Sequence, residues 1–398
     1  MLEKRYYSVN NVLDICNVTR RQLYYYEEKG QEYIVVDDNG EPVGYLKEDA
    51  ARLMEQYYPE RMADDLEKCI NVWNQYGVTT VNTMSDYYYD DPYFDLIEQL
   101  EDEGRLTARH MVSINFEESE ENLQAAKERF NSDMLRLTSL KTFMDGVASD
   151  YTASMLENYK DTDQNGGEPY YTAEEVAEIV EKAAANDLYA HFHCCGDKAI
   201  RTALDGYEQA VANGVELSPG FSVEHFDTTH PDDINRPAEL GISCNVTPDF
   251  LDPTGSFDTN PYLQVLDEET AKTLWNYGSL FQSGANVTFG TDSYYSSYNP
   301  FVQLYRATER VCNDGQPEGG YLPEEKFALK DAIRCYTLNS ARACGMEDKV
   351  GTLEAGKYAD ILVLDTNILD CTPEELFDAA VDVTYLGGKV IFDRETAE

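Results

Sequence analysis

The chain has 398 residues, of which 42% are hydrophobic and 12% aromatic, a globular composition long enough to bury a large core. It carries 31 lysines and arginines against 75 aspartates and glutamates, a formal net charge of −44 at pH 7. A chain this acidic repels phosphate backbones and anionic lipid surfaces, which argues against nucleic acid and membranes as partners.

The sequence shows no sign of a targeting or membrane segment. No apolar run approaches the roughly 18 residues that a membrane-spanning helix needs. The N-terminal sequence lacks the apolar core and the cleavage site of a signal peptide. The spacing of the nine cysteines fits neither a disulfide framework nor a zinc ribbon. We therefore expect a cytoplasmic protein whose thiols are reduced.

The first regular element that the pattern predicts is a helix over residues 47–76, which Gly77 ends. After it, seven short β-rich runs alternate with helical stretches such as 118–130 and 172–186. The β-rich runs are residues 78–84, 106–114, 136–144, 188–194, 221–226, 242–248 and 286–292. Strands and helices that alternate at this spacing predict an α/β fold with a parallel sheet, closed or open.

The pattern changes after a last predicted helix over residues 322–345. Residues 359–365 and 383–393 have the composition of strands, and Gly387 and Gly388 are placed to form a turn within the second run. We therefore expect the C-terminal part of the chain to form a small β unit.

Polar and charged side chains gather at the C-terminal ends of the predicted strands. They are Asp86, Asp145, His193, Asp197, His225, Asp227 and Asp292. In a (β/α)8 barrel this end of the sheet carries the active site, because the loops that follow the strands meet there. The sequence therefore predicts a functional site at that edge of the sheet.

Histidine and aspartate residues in this set have the chemistry of a metal site. His193 and His225 end consecutive predicted strands, and Asp292 ends the last one. His191 shares its face of the strand with His193. Imidazole and carboxylate groups that converge suit Zn²⁺ or a similar divalent ion, which lowers the pKa of bound water towards 7 and polarises a carbonyl. Asp292 could both hold the metal and take the proton of the attacking water.

Each of these residues also has a structural interpretation. A single histidine at a strand end is more often a hydrogen-bonded structural residue than a ligand. An aspartate in a Gly-Thr-Asp turn more often caps the turn or the following helix. The occurrence of His193, His225 and Asp292 at three strand ends favours the metal site over these alternatives.

Several motifs follow one another in a fixed order: H-x-x-G-D, E-H, G-T-D and G-x-L-E-x-G-K-x-A-D. The segments that carry them or accompany them are LKTFMDGVASDYTASM (140–155), HFHCCGDKAIRTALD (191–205), FSVEHFDTTHPDDINR (221–236), NVTFGTDSYYSSYNPF (286–301), DAIRCYTLNSARACG (331–345) and KVGTLEAGKYADILVLD (349–365). In order and spacing they resemble the amidohydrolase superfamily, family 3, the group that includes N-substituted formamide deformylase-like proteins. The resemblance covers residues 33–394.

This resemblance implies a metal-dependent hydrolase with a TIM-type (β/α)8 barrel. Lys141 matches the fourth-strand lysine, which is often carboxylated to bridge two metals, although a strand-end surface lysine is the alternative. His193 and His225 match the ligands of the fifth and sixth strands, and Asp292 matches the aspartate of the eighth. The implied reaction is attack of water on the C–N bond of a small-molecule amide or formamide, with Asp292 as the catalytic residue.

Three further residues lie beside the implied ligands. His191, Glu224 and Asp197 are expected to orient the ligating imidazoles or to cap a helix rather than to bind the metal. The loops at 248–262 and 293–321 are expected to set the substrate, but their residues do not identify it.

Family members also carry an H-x-H motif at the end of a first barrel strand, where two histidines hold the more buried metal. The single H-x-H of this sequence is at residues 191–193, within the fifth family strand. The sequence therefore predicts an N-terminally truncated barrel without its first strand, holding one divalent ion, preferably Zn²⁺, rather than two. The alternative is a truncated, inactive relative, or one part of a split enzyme that another chain completes. The expected protein partners are accordingly a second copy of this chain or a complementing chain.

Residues 6–30, YYSVNNVLDICNVTRRQLYYYEEKG, resemble the helix-turn-helix of mercury-resistance (MerR-type) regulators. Arg20 and Arg21 could contact phosphate in such a motif. A regulator with a catalytic-fold sensor domain is thus a third hypothesis, which the net charge of −44 disfavours. A diverged family segment, or a helical pair that packs on the open barrel, would explain the same residues.

These observations predict three parts of the chain. Residues 1–32 form a helical N-terminal segment, residues 33–347 form the amidohydrolase-like barrel, and residues 348–398 form a remnant of a small β-sandwich. The bound ion and the chemistry are expected in the second part, because all of the candidate ligands lie there.

Overall fold

The structure is a computed structural model that describes residues 62–293 and 295–397, together with two short strands before them. The helix-turn-helix resemblance at residues 6–30 lies outside the described residues. The same is true of the N-terminal half of the predicted helix at 47–76, whose described part begins at Ala63.

The chain divides into two compact units, Met1–Arg61 and Met62–Glu398. The described strands of the first unit, β1 (Ile34–Val36) and β2 (Pro42–Leu46), pair antiparallel. The three-part division expected from the sequence, with boundaries after residues 32 and 347, stays a prediction.

The second unit is built on one parallel sheet of seven strands. The strands are β3 (Thr80–Thr83), β4 (Arg109–Asn115), β5 (Leu135–Phe143), β6 (Tyr189–Cys194), β7 (Ser222–His225), β8 (Ser243–Val246) and β9 (Asn286–Phe289). They follow one another in chain order, and each pairs in parallel with the next. All seven β-rich runs of the sequence therefore form strands, and the predicted α/β fold is confirmed.

Helices alternate with these strands. They are α1 (Ala63–Gln75), α2 (Pro92–Asp102), α3 (Glu120–Arg129), α4 (Ala173–Ala185), α5 (Asp197–Ala212), α6 (Arg236–Leu240), α7 (Pro261–Val265), α8 (Glu268–Ala271), α9 (Tyr277–Gln282), α10 (Pro300–Glu309), α11 (Leu329–Arg334), α12 (Ser340–Ala343) and α13 (Pro373–Phe377). None of the described helices is long and apolar enough to cross a membrane.

Helix α4 illustrates why these segments are helical. Thr172 and Glu175 form a capping box, in which each side chain accepts a hydrogen bond from the backbone N–H of the other residue. One face of the helix is buried at the spacing of an amphipathic helix, through Val176, Ile179, Val180 and Ala183. This helix packs on α5, where a β-carbon on Gly206 would overlap Val176, so the glycine allows the close approach.

The last predicted helix, residues 322–345, is interrupted in the structure. Its beginning forms only a 3₁₀ turn at Pro323–Glu325, because the chain is left-handed at Leu322 and extended at Lys326. Between α11 and α12 the chain widens into a π-helical stretch at Cys335–Asn339. The sequence prediction of one continuous helix is therefore wrong, since an apolar helical periodicity does not reveal such local changes of the hydrogen-bonding pattern.

The two faces of the parallel sheet differ in chemistry. One face carries a polar row of register partners: Lys141, His191 and Ser222, and one step further along, His193, Glu224, Asn245 and Thr288. The alternating positions are apolar and buried: Ile114, Leu140, Phe192, Val223, Cys244 and Val287. Since successive side chains of a strand point to opposite faces, the apolar row packs in the core and the polar row lies on the other face.

The C-terminal part forms a separate antiparallel sheet of three strands, as predicted. Its strands are β10 (Ile361–Leu364), β11 (Val381–Leu386) and β12 (Lys389–Asp393), paired in that order. Gly387 and Gly388 make the turn between the last two strands, and both have the positive φ that such hairpin turns require.

Candidate metal centre

The candidate site lies where β6 and β7 end. Cys194 and His225, the last residues of these strands, are register partners, and this pairing brings His193 and His225 side by side. The centroids of the two imidazole rings are 4.3 Å apart, and the rings meet edge to face. The sulfur of Cys195 lies 3.5 Å from Nε2 of His193.

Within the described part of the chain, one group of His, Cys, Asp and Glu side chains has the spacing of a three-ligand metal site. It consists of His193, Cys195 and His225, whose ligand atoms all lie within 4.8 Å of one another. Two of its three members are ligands that the sequence predicts. The predicted ligand Asp292 is not a member of this group.

The backbone around the site is left-handed at three positions that carry side chains. The φ angle is 75° at His225, 51° at Phe226 and 42° at Asp292. Residues with a β-carbon are strained in this region, and strain of this kind is concentrated at functional sites. Two of the three strained positions are predicted ligands, which supports a functional role for this edge of the sheet.

His193 is held in its neutral form. Burial lowers its pKa well below the usual range, and electrostatic interactions with His225 and Lys141 lower it further. Its Nε2 atom lies 3.2 Å from the carbonyl oxygen of Gly146. A neutral imidazole has one nitrogen with the lone pair that metal binding requires, and binding through Nε2 would replace its contact with Gly146.

Asp145 holds the backbone beside His193 in place. It is buried, and its carboxyl oxygens accept hydrogen bonds from the backbone N–H groups of Ser154 (2.9 Å), Cys195 (3.0 Å) and Gly196 (2.8 Å). One of these oxygens is 3.8 Å from Nε2 of His193. Burial raises the pKa of Asp145 to about 8. Asp145 thereby joins the loop after β5 to the turn after β6.

Lys141 is buried on the polar face of β5. Its Nζ donates a 2.9 Å hydrogen bond to the carbonyl oxygen of Thr142 and lies 3.8 Å from the centre of the Phe143 ring. The centroid of that ring is 4.8 Å from the centroid of the His193 imidazole. The Phe143 ring thus contacts two of the predicted ligands, Lys141 and His193. The Lys141 side chain is directed along its own strand. The alternative of a surface lysine does not hold, because Lys141 is 3% exposed.

Asp292 follows β9 and is exposed. Burial lowers the pKa of Lys141, and the negative charges of Glu224, Asp86 and Asp292 oppose this shift. The carboxylate of Asp292 therefore lies within electrostatic range of Lys141, at the same end of the sheet as the two histidines.

The other predicted residues make hydrogen bonds around the site. The ring nitrogens of His191 contact the carbonyl oxygen of Gly220 and the sulfur of Met84, each at 2.9 Å. Glu224 accepts hydrogen bonds from the side chains of Ser222 and Asn245, and Asp197 accepts one from the backbone N–H of Leu156 at 2.8 Å. These bonds order the polar face and the adjacent loop. The proposed orientation of the ligating imidazoles by His191, Glu224 and Asp197 stays a prediction.

Cys195 was not among the candidate residues from the sequence. Its position two residues after His193 was the available signal, but the strand ends at Cys194, so the direction of the Cys195 side chain does not follow from strand alternation. Asp145 was recognised as a strand-end residue, and its contacts with the Cys195 turn appear only in the structure.

The sequence and the structure both have relatives among known proteins. The model of the "Amidohydrolase family" matches residues 17–392. A protein of Arabidopsis thaliana named LONG AFTER FAR-RED 3 is 27% identical over 89% of this chain and 62% of its own length. The N-substituted formamide deformylase of Arthrobacter pascens is 26% identical over 90% of this chain and 67% of its own length.

A solved structure has the same fold. It is an uncharacterised metal-dependent hydrolase of Pyrococcus horikoshii, with a TM-score of 0.70 and 24% identity, over 92% of this chain and 70% of that one. This chain spans about two thirds of the length of these relatives, between 62% and 70%. Because the family match extends over residues 17–392, this chain belongs to the amidohydrolase family.

Proposed function

We propose that this chain is a metal-dependent hydrolase that adds water across a non-peptide C–N bond of a small-molecule amide or formamide. The observation that carries the proposal is the convergence of His193 and His225 at the C-terminal edge of a parallel sheet, which is where barrel enzymes of this kind hold their active sites. The names of two relatives, a formamide deformylase and a metal-dependent hydrolase, support the same chemistry.

The residues at this edge fit a divalent ion of the zinc class. The imidazole of His193 is neutral, and a second imidazole lies beside it. The residues that would hold the ion are Lys141, His193, His225 and Asp292, and we propose that they hold one Zn²⁺. When bound, such an ion supplies a water of lowered pKa and polarises the substrate carbonyl.

The remaining chemistry is proton transfer, which we assign to Asp292. Its carboxylate takes a proton from the attacking water, the water oxygen adds to the carbonyl carbon, and the C–N bond breaks. The departing nitrogen then receives that proton, so that a carboxylic acid and an amine are formed. The exposed position of Asp292 suits this role, because water and substrate can reach it.

The test is metal analysis and hydrolysis by the full chain, supplied in turn with Zn²⁺, Mn²⁺ and Co²⁺. We expect one ion per chain and turnover of N-formyl or simple amide substrates. His193→Ala and His225→Ala should each lower the metal content to below about a tenth, because each removes an imidazole ligand. Asp292→Ala should lose turnover, because it removes the group that takes the proton from water.

His230→Ala is the control, since His230 lies on the loop after β7 and its side chain is 37% exposed. It should keep both metal and activity. The proposal is overturned if the native chain, supplied with each of the three metals, turns over none of the substrates.

A further inference from the structure

The thiol of Cys195 lies close enough to the imidazole of His193 for both groups to bind one ion. In a tetrahedral zinc site with usual Zn–N and Zn–S bonds, a nitrogen and a sulfur ligand are about 3.6 Å apart. The distance between Sγ of Cys195 and Nε2 of His193 is 3.5 Å, and the ring nitrogen of His225 lies within 4.8 Å of both. The first separation is that of two ligands on one ion, and the limit of 4.8 Å places the third ligand atom in the same small cluster.

The backbone that carries the thiol is fixed from three sides. The N–H groups of Cys195 and Gly196 donate to the buried carboxyl of Asp145. The carbonyl oxygen of Cys195 accepts hydrogen bonds from the backbone N–H (3.0 Å) and the hydroxyl (2.7 Å) of Thr228. A β-carbon on Gly196 would overlap the backbone carbonyl of Ser154, so the turn is tightly packed. The backbone that carries the thiol, and with it the Cα–Cβ bond of Cys195, is therefore fixed before any ligand arrives.

One structural role competes with metal binding. The Cys195 thiol also faces the carboxylate of Asp227, a buried residue that accepts a hydrogen bond from the hydroxyl of Tyr277 at 3.2 Å. This partner explains a buried cysteine without a metal. It does not explain why a ring nitrogen of each of two imidazoles lies within 4.8 Å of the same sulfur.

We propose that Cys195 is a protein ligand of the ion, and that His193, His225 and Cys195 form a three-ligand site with two nitrogens and one sulfur. This inference rests on the proposed function, because it concerns the ion of the same site. In this ligand set Cys195 takes the place that the proposed function gives to Lys141 and Asp292, which then lie beside the ion rather than on it. Three protein ligands leave the fourth tetrahedral position open for water, as in catalytic zinc sites. A thiolate ligand makes the site select Zn²⁺, Co²⁺ or Cd²⁺ over the hard ions Mg²⁺ and Mn²⁺.

The test uses Co²⁺ as a spectroscopic probe in the full chain. One equivalent of Co²⁺ should produce a thiolate-to-cobalt charge-transfer band in the near ultraviolet. Cys195→Ser should abolish this band and weaken Co²⁺ binding by at least about tenfold, since even outer partners of metal ligands are worth about 10 to 100-fold. Serine keeps a hydroxyl that can donate to Asp227, so a purely structural cysteine would tolerate this change.

The matched control is Cys194→Ala, which removes the adjacent buried thiol from the apolar face of β6 and should leave the band unchanged. If Cys195→Ser does not fold, X-ray absorption of the native chain with one equivalent of Zn²⁺ should find one sulfur neighbour at about 2.3 Å.

The outcomes separate this inference from the proposed function. Bound Co²⁺ without the band, or a band that persists in Cys195→Ser, would show that Cys195 is not a ligand and would leave the hydrolase proposal intact. A band without turnover of any amide would keep the ligand assignment and overturn the hydrolase. A chain that binds no Co²⁺ would overturn the ligand assignment outright.

Discussion

His110 shows how strongly position determines the chemistry of a single histidine. It lies on β4, is fully buried, and its ring centroid is 6.0 Å from that of Trp73. Within the described residues, neither of its ring nitrogens has a hydrogen-bond partner. Burial without a partner lowers its pKa to about 4, so the ring is neutral in the folded protein at neutral pH.

We expect His110 to make the folded protein sensitive to acid. Its pKa is about 4 in the folded chain and 6.5 in a model peptide, so the unfolded chain binds the extra proton. The free energy of unfolding should therefore fall as the pH drops from 6.5 to 4, by about 3 kcal/mol at most from this residue. His110→Phe keeps a ring against Trp73 and should flatten this part of the profile, as measured by urea unfolding across that pH range.

His230→Gln serves as the control for this prediction, because the side chain of His230 is 37% exposed. It should leave the pH profile close to that of the native chain. An unchanged slope in His110→Phe would show that other groups cause the acid sensitivity.

The candidate ligands were partly predictable at this scale. His193 and His225 could be found because each ends a β-rich run, and ends of parallel strands meet at one edge. Cys194 and Cys195 are chemically identical neighbours, yet only the second lies beside the imidazoles. The chain leaves the strand between them, and hydrogen bonds with Asp145 and Thr228, which are distant in sequence, hold the backbone that carries the second thiol.

At the scale of elements, the turn between β6 and α5 determines the geometry of the site. The carbonyl oxygen of Ser154 accepts hydrogen bonds from the N–H groups of Lys198 (3.1 Å) and Ala199 (3.3 Å) in the first turn of α5. This contact brings the Ser154 backbone against Gly196, where a side chain would overlap it. The loop after β5 therefore accepts hydrogen bonds from N–H groups at the start of α5. The same loop packs against Gly196 and so fixes the turn after His193.

We expect Gly196→Ala to destabilise the fold and to disturb the site. The added methyl group would overlap backbone atoms, which cannot move as a flexible side chain does, and we expect a loss of about 3 kcal/mol in the free energy of unfolding. Chemical denaturation measures the loss, and Co²⁺ titration should show weaker binding.

Gly104→Ala is the matched control, since a β-carbon there meets no atom within 4 Å and only the positive φ of 68° opposes it. It should cost about 1 kcal/mol and leave Co²⁺ binding unchanged. Equal losses in the two variants would contradict the packing argument.

At the scale of the whole second unit, Arg109 connects the parallel sheet to the C-terminal sheet. It is 3% exposed and makes two hydrogen bonds to the carboxylate of Asp360, next to β10. Its guanidinium carbon also lies 4.9 Å from the centre of the Tyr358 ring. Asp360 accepts a further 2.9 Å hydrogen bond from the backbone N–H of Gly387, in the turn between β11 and β12. The buried ion pair of Arg109 and Asp360 thus attaches the C-terminal sheet to the parallel sheet through the turn between β11 and β12.

We expect Arg109→Met to lower the free energy of unfolding by about 3 kcal/mol, because it leaves the shielded carboxylate of Asp360 without its partner. Arg105→Met is the comparison. Arg105 pairs with Asp64, Glu67 and Glu103, but its side chain is 30% exposed, so its loss should cost about 1 kcal/mol or less. Urea unfolding of the two variants checks this, and similar losses would contradict the buried pair's role.

The sequence by itself determined the class of the fold, the small C-terminal sheet, and the edge at which His193, His225 and Asp292 lie. These follow from local periodicity and from the rule that parallel strands end on one side. The tertiary structure alone decided that Cys195 joins the two histidines and that Lys141 is buried beside Phe143. Both depend on contacts between strands, loops and turns that are far apart in the chain. A pattern of residues along the sequence does not contain the distances between such segments.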